Sequence, residues 1–250
     1  MKSYTKINAK MFDRWVEEGW EWGKPISLKT YKLAQKGEYA LYLTPTKTVP
    51  KHWIGNVQGK KVLGLASGGG QQMPILQALG AIVTCLDISK TQLETEKKFA
   101  KKAGYDIELI EADMTKPLPF ADETFDLIIH PVSNVYIEKV EPVFKEAYRI
   151  LKKGGALLSG LDNGLNFAFD DEDGKILFDL PFNPLKDQEQ YDYMVKNNYG
   201  IQFSHTLEEQ IGGQLKAGFI LKDLYEDTNL SGYLHENNIP TFIATKAVKK

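Results

Sequence analysis

Short apolar runs alternate with longer amphipathic stretches between residues 61 and 161. Such short runs are typical of buried strands, and the stretches between them have the length of crossover helices. The pattern therefore predicts a parallel sheet covered by helices, the α/β class. We place its strands at residues 61–66, 82–86, 107–110, 125–130 and 156–160.

Local end signals locate the helices between these strands. Ser89, with Gln92 three positions later, predicts a capping box at the start of the second helix. The fourth helix carries one apolar face at helical spacing, and we expect the glycines at 154–155 to end it. That face comprises Val140, Val143, Phe144, Ala147 and Leu151.

The last quarter of the chain predicts one more helix and a final strand. Thr206 with Glu209 offers another capping box, after which the helix runs to Gly218. We expect its buried stripe to be Leu207, Ile211 and Leu215. Residues 239–250 then have the pattern of a strand.

Two regions break the alternation and are predicted to be caps. Residues 1–59 are rich in aromatic side chains and form an N-terminal cap, which leaves residues 60–250 for the α/β domain. Residues 162–204 separate a strand from its expected helix by far more than an ordinary loop, so we treat them as an inserted cap. A hairpin is predicted within this insertion, with its turn at Asp173 and Gly174.

Composition narrows the possible classes of protein. The 250 residues are 42% apolar and 26% charged, as in globular proteins. The net charge of −2 supplies no positive field to collect nucleic acid or anionic membrane. A single cysteine, Cys85, excludes an internal disulfide and suits a reducing compartment. No stretch approaches the roughly 18 apolar residues of a membrane span, so we expect a cytoplasmic protein.

Three consecutive glycines, Gly68 to Gly70, follow the first strand and precede a helix. Glycine permits positive φ and close approach, so a flat or anionic cofactor group can lie against this turn. A tight strand–helix turn that needs glycine only for packing is the alternative. The spacing does not satisfy the G-x-G-x-x-G motif of nicotinamide enzymes, and no Lys-Ser or Lys-Thr follows as in a P-loop.

Acidic residues follow the next two strands. Asp87 ends the second strand. In a doubly wound sheet, a carboxylate at this position accepts hydrogen bonds from both hydroxyls of a ribose. Capping a helix is the alternative role, which Ser89 already fills. Asp113 follows the third strand, where its side chain can reach the edge of an adenine ring while Met114 packs on the ring face. A simple turn aspartate is the alternative here.

Four stretches, residues 62–72, 83–89, 110–130 and 146–160, together resemble the successive motifs of class I S-adenosylmethionine-dependent methyltransferases of the small-molecule type. The resemblance implies a Rossmann-like, doubly wound, seven-stranded sheet whose last strand is antiparallel. It also implies a methyltransferase that uses S-adenosyl-L-methionine.

The resemblance further implies the residues that hold the cofactor. Gly68 and Gly70 would line its methionine and ribose portions, Asp87 would bind the ribose, and Asp113 with Met114 would hold the adenine. The complete expected set is Ala66, Ser67, Gly68, Gly70, Gln72, Asp87, Ile88, Asp113, Met114 and His130. The family's usual acidic residue and first glycine fall at Gly64 and Ala66 here. This departure leaves open how the methionine ammonium is neutralised, with Gln71 and Gln72 as candidates.

The segment after the fourth strand, His130 to Ile137, lies at the carboxyl edge of the sheet, where ligands bind. We therefore expect His130 or Tyr136 to orient or deprotonate the methyl acceptor. A histidine that only hydrogen-bonds a loop at the strand end is the alternative. Asn134, Tyr136 and Trp20 are the expected acceptor contacts. The tryptophans of the N-terminal segment either pack against the sheet or form a lid with aromatic walls around the acceptor.

The same segment lacks the Asp- or Asn-Pro-Pro-aromatic motif of enzymes that methylate nucleic-acid amino groups. Cys85 lies inside a strand, unlike the nucleophile of cytosine-C5 enzymes. No metal site is predicted: Asp162 and Asn163 could begin one but lack a third ligand, and the acidic run 170–173 is expected to be a solvated turn. The predicted acceptor is a small molecule rather than nucleic acid. A non-catalytic nucleoside-binding module and a protein or RNA methylase remain the alternatives.

Overall fold

The computed structural model describes residues 4–250 and contains one seven-stranded sheet in the order β3-β2-β1-β4-β5-β7-β6. The strands are β1 (Lys61–Leu65), β2 (Ile82–Asp87), β3 (Glu108–Glu111), β4 (Phe125–His130), β5 (Leu151–Asp162), β6 (Ile220–Asp227) and β7 (Phe242–Val248). The first five are parallel, and β7 runs antiparallel to both of its neighbours. This arrangement confirms the predicted Rossmann-like sheet with its antiparallel last strand.

Ten α-helices surround the sheet in the described part of the chain. They are α1 (Tyr4–Glu17), α2 (Leu28–Ala34), α3 (Lys51–Ile54), α4 (Gln72–Ala78), α5 (Lys90–Ala103), α6 (Glu141–Ile150), α7 (Leu165–Ala168), α8 (Gln188–Lys196), α9 (Gly213–Lys216) and α10 (Tyr233–Glu236). Short 3-10 turns occupy Glu21–Gly23 and Asn134–Tyr136, and a π-helical turn, Glu208–Gly212, leads into α9. No described helix has both the length and the apolar character needed to cross a bilayer.

The start of α5 follows the sequence signal only in part. The Ser89 hydroxyl accepts a hydrogen bond from the Gln92 amide, as predicted. The reciprocal bond of a capping box is absent, because the Ser89 amide donates to Asp87 instead. Asp87 and Ser89 therefore begin the helix together.

The end of α6 differs from its prediction. The helix stops at Ile150, and the glycines at 154–155 lie inside β5, which is longer at both ends than expected. The reason is pairing with the end of the chain: the Gly154 amide donates to the Lys249 carbonyl and the Lys249 amide donates to Gly155. These bonds pair the two glycines with Lys249 after the helix has ended, and Gly154 takes a left-handed φ of 75° there.

The predicted apolar stripe after Thr206 is also wrong. The capping box itself is confirmed, since the Thr206 amide donates to the Glu209 carboxylate and the Glu209 amide donates to the Thr206 hydroxyl. Leu207 and Leu215, however, are about half exposed, at 50% and 51%. The π-helical turn changes the helical period, and the buried face carries Gln210, Gly213 and Gln214.

The hydrophobic core has one layer on each face of the sheet. One layer packs α4, α5 and the N-terminal segment against β1, β2 and β4. The other packs α6 against the opposite face, with Phe144 wholly buried at its centre. The predicted buried face of α6 lies in this second layer.

Residues 41–57, although ahead of the first strand, are part of the core. Trp53 and Val57 are buried among residues of β1 and α4, and the Trp53 indole donates to Asp223 at 2.8 Å. Ahead of them, Leu43 crosses the sheet edge, where its carbonyl accepts from the Val132 amide at 3.3 Å. This crossing brings the N-terminal segment to the carboxyl ends of β4 and β5.

Gly160→Ala is expected to destabilise the protein by about 1–3 kcal/mol, because an added Cβ would collide with the Leu43 carbonyl where that segment crosses β5. Urea denaturation measures the change in the free energy of unfolding. Gly212→Ala is the matched control, since its Cβ would meet only Glu208 at an ordinary 3.6 Å. Equal stability of the two variants would contradict this account of the crossing.

Candidate functional site

A cavity of about 500 Å³ opens at the carboxyl edge of the sheet. Its walls come from the turns after β1, β2, β3 and β4, from the end of β5, and from both predicted cap segments. This is the edge at which doubly wound sheets bind ligands, and the volume lies in the range of small-molecule sites. Ten of the predicted site residues line it: Trp20, Ala66, Ser67, Gly68, Gln72, Asp87, Ile88, Asp113, Met114 and Tyr136.

The turn after β1 is shaped by its contact with β2. The Gly68 amide donates to Asp87 Oδ2 at 2.9 Å, and a Cβ at Gly68 would lie 2.7 Å from the Gln92 Cβ and 3.0 Å from that oxygen. Glycine is therefore required so that the turn can approach the carboxylate. Ala66 takes a left-handed φ of 51°, the conformation for which glycine is better suited.

The other two glycines of the turn contact the N-terminal segment. A Cβ at Gly69 would lie 2.9 Å from the Trp22 carbonyl oxygen, and one at Gly70 would lie 2.7 Å from the Pro25 Cβ. Gly70 is not among the described residues that line the cavity, and its contact with the cofactor stays a prediction. Part of the glycine run thus serves packing, the alternative that the sequence left open.

Two aspartates define one half of the cavity. Asp87 is buried and accepts hydrogen bonds from the amides of Gly68 and Ser89, both at 2.9 Å. Burial raises its pKa, whereas those amides act in the opposite direction. Asp113 Oδ1 accepts from the Thr115 amide and hydroxyl at 2.9 and 2.7 Å. Both side chains also line the cavity.

Two glutamines beside the glycine turn complete this half. The Gln72 amide group links the Ser67 hydroxyl, at 3.0 Å, to the Tyr42 carbonyl, at 3.2 Å. Gln92 lines the cavity, and its buried Oε1 makes no hydrogen bond within the described part of the chain. A buried acceptor without a donor marks a place where a ligand can donate.

His130 and Asn134, which we expect at the site, are not among the described residues that line the cavity. His130 is wholly buried; its Nδ1 lies 2.9 Å from the Leu65 carbonyl oxygen and its Nε2 lies 2.8 Å from Asn134 Oδ1. Asn134 in turn donates to Gln210 Oε1 at 2.8 Å. Burial lowers the pKa of His130, whereas the hydrogen bonds to Leu65 and Asn134 act in the opposite direction. The pair joins β1, β4 and the π-helical turn.

Tyr136 does reach the cavity and lies against α1. Its ring meets Phe12 edge to face at a centroid distance of 4.6 Å, and Asn8 donates to its carbonyl at 3.1 Å. Burial raises the pKa of the Tyr136 hydroxyl well above its usual value. The hydroxyl is therefore protonated at neutral pH and suited to donating a hydrogen bond rather than accepting a proton.

The second half of the cavity is aromatic. Phe167 and Phe182 of the inserted segment stack at 5.1 Å, and Trp20 lies 6.0 Å from Phe12 and 5.2 Å from Trp15 on the opposite side. Further apolar wall residues are Val132, Leu177, Phe178, Tyr193, Met194 and Phe242. This half is an apolar chamber continuous with the half that holds the aspartates.

Asp162, at the carboxyl end of β5, is the one charged side chain in the described wall of the aromatic half. Its Oδ1 accepts from the Gly164 amide and its Oδ2 from the Asn166 side chain, both at 2.6 Å. Only 4% of the residue is exposed, and burial raises its pKa to about 6. Within residues 4–250, no group of three or more His, Cys, Asp or Glu side chains is placed to hold a metal ion.

Sequence reasoning did not select Asp162 as a site residue, although a signal was present. The residue ends a strand of the parallel sheet, as Asp87 does, and that rule placed Asp87 correctly at the cavity. The sequence pattern did not single out the aromatic residues at 167, 178 and 182 of the inserted segment. Their side chains converge only once α7 and α8 fold over the sheet.

The sequence and structure are similar to those of known methyltransferases. A family model described as "Methyltransferase domain" matches residues 63–159. An uncharacterized methyltransferase, YbaJ of Bacillus subtilis (strain 168), is 41% identical over 256 residues that cover the whole of both chains. The ubiquinone/menaquinone biosynthesis C-methyltransferase UbiE of Sinorhizobium fredii (strain NBRC 101917 / NGR234) is 37% identical over 103 residues, covering 39% of this chain and 40% of that one.

A solved structure supports the same fold. The S-adenosylmethionine-dependent methyltransferase from Mesorhizobium loti superposes with a TM-score of 0.64 at 19% identity, covering 80% of this chain and 95% of that one. The family match confirms the resemblance seen in the four sequence motifs. Since the identity to YbaJ extends over the full length, this chain belongs to the class I S-adenosylmethionine-dependent methyltransferases, and S-adenosylmethionine is its cofactor.

Proposed function

We propose that this enzyme transfers the methyl group to a small molecule enclosed in the aromatic half of the cavity. One observation carries the proposal: a single cavity joins the two aspartates at the ends of β2 and β3 to an apolar chamber covered by both cap segments. A chamber of this size suits a small apolar acceptor, whereas a protein or RNA acceptor needs an open groove. The relative UbiE is named for quinone biosynthesis, whose substrates are small molecules.

The residues of the first half fit the cofactor. Asp87 and Asp113 face the cavity with carboxylates that can accept from ribose hydroxyls and from the adenine amino group. Gln92 Oε1, which has no donor within the described chain, gains one when a hydroxyl lies beside it. Met114 supplies an apolar surface for the adenine face. When bound, the cofactor supplies an electrophilic methyl group on a sulfonium.

The protein's own contribution is alignment and exclusion of water, because direct displacement at a methyl group needs the two reactants in line. Tyr136 lies in the cavity wall, and its protonated hydroxyl supports a role in orienting the acceptor through a donated hydrogen bond. His130 and Asn134 hold the turn that carries Tyr136 and act as positioning residues rather than as a base.

Labelled transfer tests the proposal. The enzyme is incubated with S-adenosylmethionine carrying a tritiated methyl group and with separate small-molecule, protein and RNA fractions of a bacterial extract. We expect label in solvent-extractable small molecules, and none with a Tyr136→Ala variant that still binds S-adenosylhomocysteine. Label confined to protein or RNA would contradict the proposal. Tight cofactor binding without any transfer would instead support the non-catalytic alternative.

A further inference from the structure

Asp162 stands apart from the residues that fit the cofactor. It ends β5, whereas Asp87 and Asp113 belong to the β2 and β3 side of β1 in the sheet order. Adjacent strands are about 4.8 Å apart, so the end of β5 lies roughly 10 Å across the sheet edge from the glycine turn. The Asp162 carboxylate is therefore in the acceptor half of the cavity.

Within the described part of the chain, this carboxylate has no cationic partner. None of the ion pairs among residues 4–250 includes Asp162, and its two hydrogen bonds come from uncharged donors. A buried charge is normally paired, because removing it from water is costly. With its pKa at about 6, the group is ionised at neutral pH despite its burial. A cationic ligand would complete the missing pair.

The surrounding walls favour the same kind of ligand. No Lys, Arg or His is among the described residues that line the cavity. The chamber walls instead contain aromatic side chains, and the faces of such rings attract cations through their quadrupoles. An acceptor that carries a phosphate or carboxylate would bury its charge beside Asp162 without compensation. Charge and wall chemistry together select against anionic acceptors.

We infer that the acceptor is an apolar amine whose ammonium group pairs with Asp162, which also removes its proton. This inference rests on the proposed function. The N–H proton passes to the carboxylate, and the freed nitrogen lone pair forms the new N–C bond while the S–C bond of the sulfonium breaks. The products are an N-methylammonium and a neutral thioether, so charge and atoms balance.

Three probes with one carbon skeleton test the charge preference: 4-phenylbutylamine, 4-phenylbutan-1-ol and 4-phenylbutanoate. Calorimetry measures their affinities for the full-length enzyme with and without S-adenosylhomocysteine. We expect the amine to bind about tenfold or more tightly than the alcohol, and the acid to bind most weakly. Asp162→Asn keeps an oxygen for the Gly164 amide but removes the charge, so it should bring the amine to the level of the alcohol. Asp179→Asn, an exposed carboxylate in the same inserted segment, is the matched control.

The outcomes separate this inference from the proposed function. Equal binding of the three probes, preference for the acid, no binding of any probe, or an unchanged preference in Asp162→Asn would overturn the inference while leaving cofactor binding intact. A tenfold loss of S-adenosylhomocysteine affinity in Asp162→Asn would place the carboxylate at the cofactor and also overturn it. The wild-type comparison needs no variant, so it decides the question even if Asp162→Asn does not fold. Failure of the wild type to bind S-adenosylhomocysteine would count against the proposed function, whatever the order of the three probe affinities.

Discussion

Asp87→Asn is expected to weaken binding of S-adenosylhomocysteine about 10- to 100-fold, because hydrogen bonds from a ligand to a carboxylate contribute about 1.5–3 kcal/mol. The carboxylate lines the cavity and accepts from the Gly68 and Ser89 amides, so it also fixes the turns on which the ligand would lie. An asparagine offers one acceptor oxygen and turns an NH₂ group toward the other amide. Isothermal calorimetry measures the loss.

Asp106→Asn is the control for that experiment, since it makes the same chemical change at an exposed position outside the cavity wall. Its affinity should match that of the wild type. Thermal denaturation of both variants without ligand shows whether the turn has been lost rather than the contact. Wild-type affinity in a folded Asp87→Asn protein would rule out the ribose assignment.

Glu96→Gln is expected to remove a large pH dependence of stability. Glu96 lies wholly buried on α5; its Oε1 accepts weakly from the Tyr105 hydroxyl at 3.4 Å, and its Oε2 has no partner in the described chain. Burial raises its pKa from 4.5 to about 8. The unfolded chain therefore releases this proton near pH 4.5, whereas the folded protein retains it up to about pH 8.

The direction of the effect follows from this difference. The contribution of protonated Glu96 to the free energy of unfolding is complete below pH 4.5 and is lost as the pH rises through about 8. Between pH 5 and 8 the wild type should lose about 3–4 kcal/mol of unfolding free energy relative to Glu96→Gln. Urea denaturation at several pH values measures both proteins, with Glu94→Gln, a half-exposed residue of the same helix, as control. Parallel curves for wild type and Glu96→Gln would show that the buried carboxyl does not behave in this way.

The sheet could be predicted from sequence because its signals are local. The strands β1, β2 and β4 are short, largely apolar runs, and the predicted bounds of β4 are the observed ones. The helix after Thr206 was predicted with the wrong buried face, since its burial depends on a polar partner distant in the chain: Gln214 accepts from Thr245 in β7. Nothing in the local periodicity of residues 206–218 indicates such a partner.

The residues of the candidate site likewise divide into those that local sequence signals predict and those that depend on packing. Residues that follow strands, such as Asp87 and Asp113, could be predicted because strand ends of a parallel sheet meet at one edge. The direction of the His130 side chain at the end of β4, toward the cavity or away from it, could not be predicted. His130 turns toward Leu65 and Asn134 because both of its ring nitrogens find partners there, a result of packing between β1 and the π-helical turn.

The attachment of α1 has a consequence for turnover. Asn8 exchanges hydrogen bonds with Ile201 in the inserted segment, and Asp13 accepts from Ser89 and Thr91 at the start of α5. The helix α1 is thus fastened to the walls of both halves of the cavity. Displacing this helix to admit either the cofactor or the acceptor loosens the enclosure of the other. We therefore expect thermodynamic coupling, in which binding of one reactant raises the affinity for the other.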